Sequence, residues 1–167
     1  MIKKIFITIL LSITLISNSY SAGSSSSGGE GDGPKTKTNY EKAVKLIKSA
    51  NKYEKKGKKD KAKSSYEKAL KLLLKSNNKK PNKPDTLNYL GFTSRKLGDF
   101  ENGEKYYLQG LAINPYHIGI NEYLGELYVA TNRHNLAVER LEVLKGCDCK
   151  EYDDLKAIIA GEKISKY

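Results

Sequence analysis

Tryptophan is missing from this chain, and histidine and cysteine occur only twice each. That scarcity excludes much chemistry. His117 follows Pro115-Tyr116 at a helix entry and His134 falls in a turn, so neither is set beside a nucleophile or acid it could serve. Cys147 and Cys149 stand one residue apart, which fits none of the usual zinc spacings, and there is no Cys-x-x-Cys-His haem signature. No strand is evident, so no glycine-rich loop follows one. Carboxylates such as Glu122 and Glu126 lie one helical turn apart, which is ordinary on a helix surface. The expectation is a non-enzymatic protein with no catalytic residue, no metal and no cofactor. Arginine is scarce too: Arg95, Arg133 and Arg140 are the only three among 30 basic residues. Arginine is the usual reader of phosphates and bases, so sequence-specific nucleic-acid binding is not expected.

Long apolar runs are confined to residues 5–16. A bilayer span needs about 20 such residues, so this run is too short for one. Lys3 and Lys4 precede it, and Ser19 and Ser21 supply small residues before a cut, as in a secretory signal peptide over 1–21. Residues 22–38 are rich in serine and glycine with nothing to bury, a flexible linker. The folded domain is expected over 39–167. These features predict a periplasmic or secreted protein, a monomer or weak oligomer.

Charge is abundant and uneven. Residues 35–83 hold 18 lysines against Glu41, Glu54, Asp60 and Glu67, a net +14. Residues 84–167 hold 10 basic and 13 acidic residues, a net −3. Lys45, Lys48, Lys52 and Lys55 recur at helical spacing and form a basic face. Such a face suits an anionic membrane surface or polyanion, or is a solvated surface written in lysine.

The stretch 87–115 organises the rest. It reads Leu87-x-x-Leu90-Gly91-x-x-Ser94, then Gly103-x-x-x-Tyr107, then Pro115. Gly91 and Gly103 allow two helix backbones to approach closely, with Leu87, Leu90, Tyr107 and Leu111 packed around them. Gly98 can end the first helix and Asp99 can cap the second. Asn114-Pro115 closes the pair. This pattern resembles the tetratricopeptide repeat (TPR), a helical hairpin of 34 residues. A second copy carries Leu124-Gly125-x-x-Tyr128, with Ala137 and Leu141 in the places of Gly103 and Tyr107, and Asn132 as the turn residue. An earlier copy has Leu46, Ala50, Tyr53, Gly57, Ala62, Tyr66 and Ala69 but lacks the Leu-Gly pair.

The resemblance implies an all-α, right-handed α-solenoid of three hairpins, at about 43–76, 84–117 and 118–151, with a capping helix at about 151–164. The apolar spacing places helices at 40–57, 60–75, 85–97, 100–113, 118–130, 135–145 and 151–163. In tetratricopeptide proteins the first helix of each pair lines a groove that takes peptides or partner helices. Carried over, that groove holds Ile47, Asn51 and Glu54, then Asn88, Phe92 and Arg95, then Glu122, Glu126 and Val129. Some members clamp a partner's terminal carboxylate with Lys, Asn and Arg. Asn51 matches one clamp residue, but Ile47, Tyr89, Gly119 and Tyr123 stand where others belong, so a receptor for C-terminal tails is not expected. The resemblance thus implies a scaffold for a protein or peptide partner; the alternative is a module acting through the basic face.

Cys147 and Cys149 remain. An exported chain meets an oxidising compartment, where thiols tend to pair. Residues two apart can reach the Cα separation a disulfide tolerates. Two free thiols, or a bridge between chains, are the alternatives.

Overall fold

The computed structural model describes residues 37–165. The predicted signal peptide and nearly all of the linker lie outside the described residues. Seven helices follow in order, α1 Asn39–Lys55, α2 Lys59–Lys79, α3 Pro84–Lys96, α4 Phe100–Ile113, α5 Ile118–Ala130, α6 His134–Leu144 and α7 Lys150–Ile159. Among the described residues there is no strand. No described helix is long and apolar enough to cross a membrane.

Local sequence sets the helix ends. Thr38 and Glu41 form a reciprocal capping box at α1: the Glu41 amide donates to Thr38 Oγ1 (3.2 Å) and the Thr38 amide to Glu41 Oε2 (2.8 Å). These bonds hold the Glu41 carboxyl below the usual carboxylate range. Asp99 caps α4 by accepting from the Asn102 amide at 3.1 Å. His117 caps α5: its Nδ1 accepts from the Ile120 amide at 3.2 Å, which leaves Nε2 to donate to Asp85 at 3.1 Å. Gly98 and Asn132 take the left-handed conformation that turns each hairpin, with φ of 88° and 59°.

Two boundaries differ from expectation by more than two residues. Helix α2 runs to Lys79, four residues past the predicted end at 75. Nothing in Ser76-Asn77-Asn78-Lys79 forbids a helix, and the first true breaker is Pro81. Helix α7 stops at Ile159 rather than near 163, because Gly161 reverses the chain with φ 74°.

The helices pack as three hairpins, α1 on α2, α3 on α4 and α5 on α6. Odd helices also touch one another in sequence, α1 to α3, α3 to α5 and α5 to α7, whereas α2, α4 and α6 share no contact. The odd helices therefore form one inner layer and the even helices splay apart outside it. The close approach foreseen at Gly91 is present. A Cβ there would lie 2.6 Å from Tyr107 Cδ1, and one on Gly103 would lie 3.2 Å from the Gly91 carbonyl oxygen. Apolar burial forms two clusters. One joins Ala43, Ile47, Ala50, Tyr66, Ala69 and Leu73 of the first hairpin to Leu87, Leu90 and Phe92. The other centres on Tyr107, Ile120, Leu124, Leu127 and Ala137. Tyr123 packs against both. At the end of the stack α7 covers α5, and Leu155 fills the space that Gly125 leaves open.

Candidate protein-interaction face

The inner layer carries the residues that the repeat register assigned to a groove, and two polar networks take in four of them, Asn51, Glu54, Arg95 and Glu126. In the first, the Tyr66 hydroxyl reaches Asn51 Oδ1 and Glu54 Oε2 (3.0 Å), and Lys96 Nζ pairs with the same Glu54 oxygen at 2.7 Å. Burial, then the adjoining Glu54 carboxylate, pushes the Tyr66 phenol well above its ordinary value. In the second, Arg95 crosses from α3 to α5. Its Nη1 donates to the Tyr123 carbonyl, and its Nη2 lies 3.4 Å from Glu126 Oε2. Tyr107 and Tyr123 flank the guanidinium, with ring centroids 5.9 and 5.7 Å from Cζ. Burial raises both phenols, and the Arg95 charge partly offsets it.

Accessibility departs from the picture of an open groove. Asn88, Phe92, Arg95, Glu122 and Glu126 are all buried, and the Arg95 and Glu126 side chains are 0% exposed. Phe92 is wedged between Tyr66 and Tyr123 rather than presented to a ligand. Asn51, Glu54, Tyr89 and Tyr123 are half-buried and reachable at their edges. The sequence could not show this, because a polar residue in a helix reads as surface unless its partner on a distant helix is known. Tyr123 and Lys96 belong to the networks although neither was singled out as a groove residue. Their signal was spacing: Lys96 follows Arg95, and Tyr123 lies between the two glutamates.

The other sequence candidates are placed as follows. Lys45, Lys48, Lys52 and Lys55 are exposed along α1. Where α1 begins and α2 ends, a cleft of about 570 Å³ is lined by Thr38, Tyr40, Ser76, Lys79, Lys80 and Lys83. Burial, followed by Tyr89 and Asp85, pushes the Tyr40 phenol there up to about 12. Cys147 is bonded to Cys149, with Cα atoms 5.2 Å apart, between α6 and α7. Among the described residues no group of three or more His, Cys, Asp or Glu side chains is placed to hold a metal ion.

The comparisons agree with this architecture. A family model described as tetratricopeptide repeat matches residues 46–72 and 85–117. No curated protein matches the chain. Among solved structures, the first TPR of Spaghetti (RPAP3) bound to HSP90 peptide SRMEEVD is 21% identical, with a TM-score of 0.53 over 75% of this chain and 95% of that one. The first TPR domain of human RPAP3 is 21% identical, with a TM-score of 0.54 over 72% and 91%. The second TPR domain of human RPAP3, in complex with HSP70 peptide SGPTIEEVD, is 17% identical, with a TM-score of 0.51 over 73% and 98%. Two hairpins of this chain thus match the tetratricopeptide repeat by sequence, and the all-α fold of its described residues, with seven helices, is that of TPR domains.

Proposed function

We propose that this protein is an exported interaction scaffold that takes a peptide or a segment of a partner protein along its inner layer. One observation carries the proposal: α1, α3, α5 and α7 touch in sequence to form a continuous layer, and polar side chains link α1 to α3 and α3 to α5. Such a layer offers hydrogen-bonding edges and aromatic faces, from Asn51, Tyr89 and Tyr123, on rigid elements. The structural neighbours that carry HSP90 and HSP70 peptides support a peptide ligand. Those peptides end in Glu-Glu-Val-Asp. Here the clamp positions hold Ile47, Tyr89, Gly119 and Tyr123, and Glu122 and Glu126 stand close by, so an acidic tail is disfavoured. Export rests on the charged start, the short apolar run and the small residues before position 22. The test is chemical crosslinking in the native envelope fraction followed by pull-down. Asn51→Ala with Tyr89→Ala should lose the captured partner at a temperature where the thermal melt shows the variant still folded. Capture that is indifferent to both substitutions would sink the proposal.

A second reading has its own support in the lysine-rich cleft. Lys37, Lys79, Lys80 and Lys83 line it against the single carboxylate of Asp85, which suits a polyanion or an anionic membrane surface. Salt separates the two. Attraction to exposed lysines fades as the Debye length shrinks from about 10 Å at 0.1 M to about 3 Å at 1 M. Contacts at the inner layer persist over that range.

A further inference from the structure

The inner layer ends against residues 161–165. After Ile159 the chain turns back: the Gly161 amide donates to the Ile158 carbonyl (3.1 Å), and the Glu162 and Lys163 amides both donate to the Ala157 carbonyl (2.9 and 3.2 Å). From there it runs onto α5. Lys163 pairs with Asp154, and the Ser165 hydroxyl donates to Glu126 Oε2 at 3.2 Å. Ile164, between them, is 89% exposed. Lys163 and Ser165 thus face the helices, and Ile164 between them faces water. The carboxylates it meets are buried, Glu126 at 0% and Asp154 at 8% exposure. Charge fits as well: Asp154, which also pairs with Lys150, takes Lys163, and Glu126 faces both Arg95 and the Ser165 hydroxyl.

We propose that residues 161–165 act as an internal ligand, the turn after α7 laying Lys163 to Ser165 on the α5–α7 part of the inner face until a partner displaces them. The proposal rests on the inner-face reading and deepens it. It names the chemistry a competing peptide needs there, a basic side chain and a hydroxyl two residues apart, set against Asp154 and Glu126. A segment tethered within a few residues of its site faces it at an effective concentration on the order of millimolar, so weak contacts suffice to dock it. Any partner must outcompete that concentration, which makes the tail a threshold on binding.

The test uses the full chain and a Lys163→Gln, Ser165→Ala variant. Both substitutions fall at the end of the described residues, outside every helix, so the fold is expected to be kept. Backbone ¹⁵N relaxation reports the order of residues 163–165. A fluorescent peptide spanning residues 160–167 is titrated against each protein. The expected result is an ordered tail in the wild type, a mobile tail in the variant, and at least tenfold tighter peptide binding by the variant. A tail already mobile in the wild type overturns the proposal. So does an ordered tail with no difference in peptide binding, since the tail then lies where the peptide does not. Either outcome leaves the inner-face scaffold standing, because that is judged separately by Asn51→Ala with Tyr89→Ala.

Discussion

Gly91 and Gly125 sit where one added methyl group is too much. A Cβ on Gly91 would press on the Tyr107 ring, and one on Gly125 would lie 2.6 Å from Leu155 Cδ2. Gly91→Ala should destabilise the fold by about 1–3 kcal/mol through overpacking, read as a lower Tm. An unchanged melt would mean the helices do not meet there. Tyr107 supports the opposite kind of prediction. Its hydroxyl is buried with no hydrogen-bond partner among the described residues. Tyr107→Phe removes that unpaired group, so stability near pH 7 should hold or rise. Alkaline pH gives the complementary sign. Burial raises the Tyr66, Tyr107 and Tyr123 phenols, and Tyr40 reaches about 12. An unfolded tyrosine ionises near pH 10. Stability is therefore fully present below about pH 10 and falls as pH rises beyond it, because unfolding then releases protons. Tyr107→Phe should flatten that fall; a slope identical to the wild type would contradict the buried phenol. Arg95→Ala removes the cation that lies 3.4 Å from the buried Glu126 carboxylate and should cost about 3–5 kcal/mol by chemical denaturation. Arg95 is therefore a poor probe of ligand binding, and Asn51 and Tyr89 are better ones.

At the scale of elements, the sequence was most legible where the chain turns. Gly98-Asp99, Asn114-Pro115, Asn132 and Gly146 each change backbone conformation or remove a donor, so helices α3 to α6 begin and end within a residue or two of expectation. Legibility failed where punctuation was weak. The Ser76-Asn77-Asn78-Lys79 stretch looked like loop by composition yet continues α2, since its residues have only modest helix propensity costs and no breaker precedes Pro81. It failed again on the inner face. Repeat register picked out Arg95 and Glu126, but their burial depends on α5 crossing α3 and on the chain returning after α7, neither of which is local information. The corner before α7 supports a covalent prediction. With Cys147 joined to Cys149, the purified chain should be a monomer two mass units lighter than its reduced form. Two alkylatable thiols, or a disulfide-linked dimer, would contradict the bridge. Its ring is very small, and the entropic gain from a disulfide grows with loop length, so reduction should shift the melt little.

For the whole molecule, three hairpins and a covering helix are the least that buries both faces of a central repeat, and α3 accordingly holds nine buried residues. The two halves divide the charge, with the lysines in the first hairpin and a slight acidic excess beyond it. Export is checked by mass spectrometry of the protein from the envelope fraction: an N-terminus within a few residues of Ala22 is expected, and an intact Met1 would refute cleavage. The inner layer as the binding face is checked most directly by comparing capture of the crosslinked partner by two variants at low and high salt. One carries Asn51→Ala and Tyr89→Ala; the other replaces Lys45, Lys48, Lys52 and Lys55 by Gln. Loss of the partner in the first variant, with retention by the lysine variant at both salt concentrations, is the predicted result. Retention by the first, with loss in the lysine variant and in high salt, would place the function on the basic face and contradict the account.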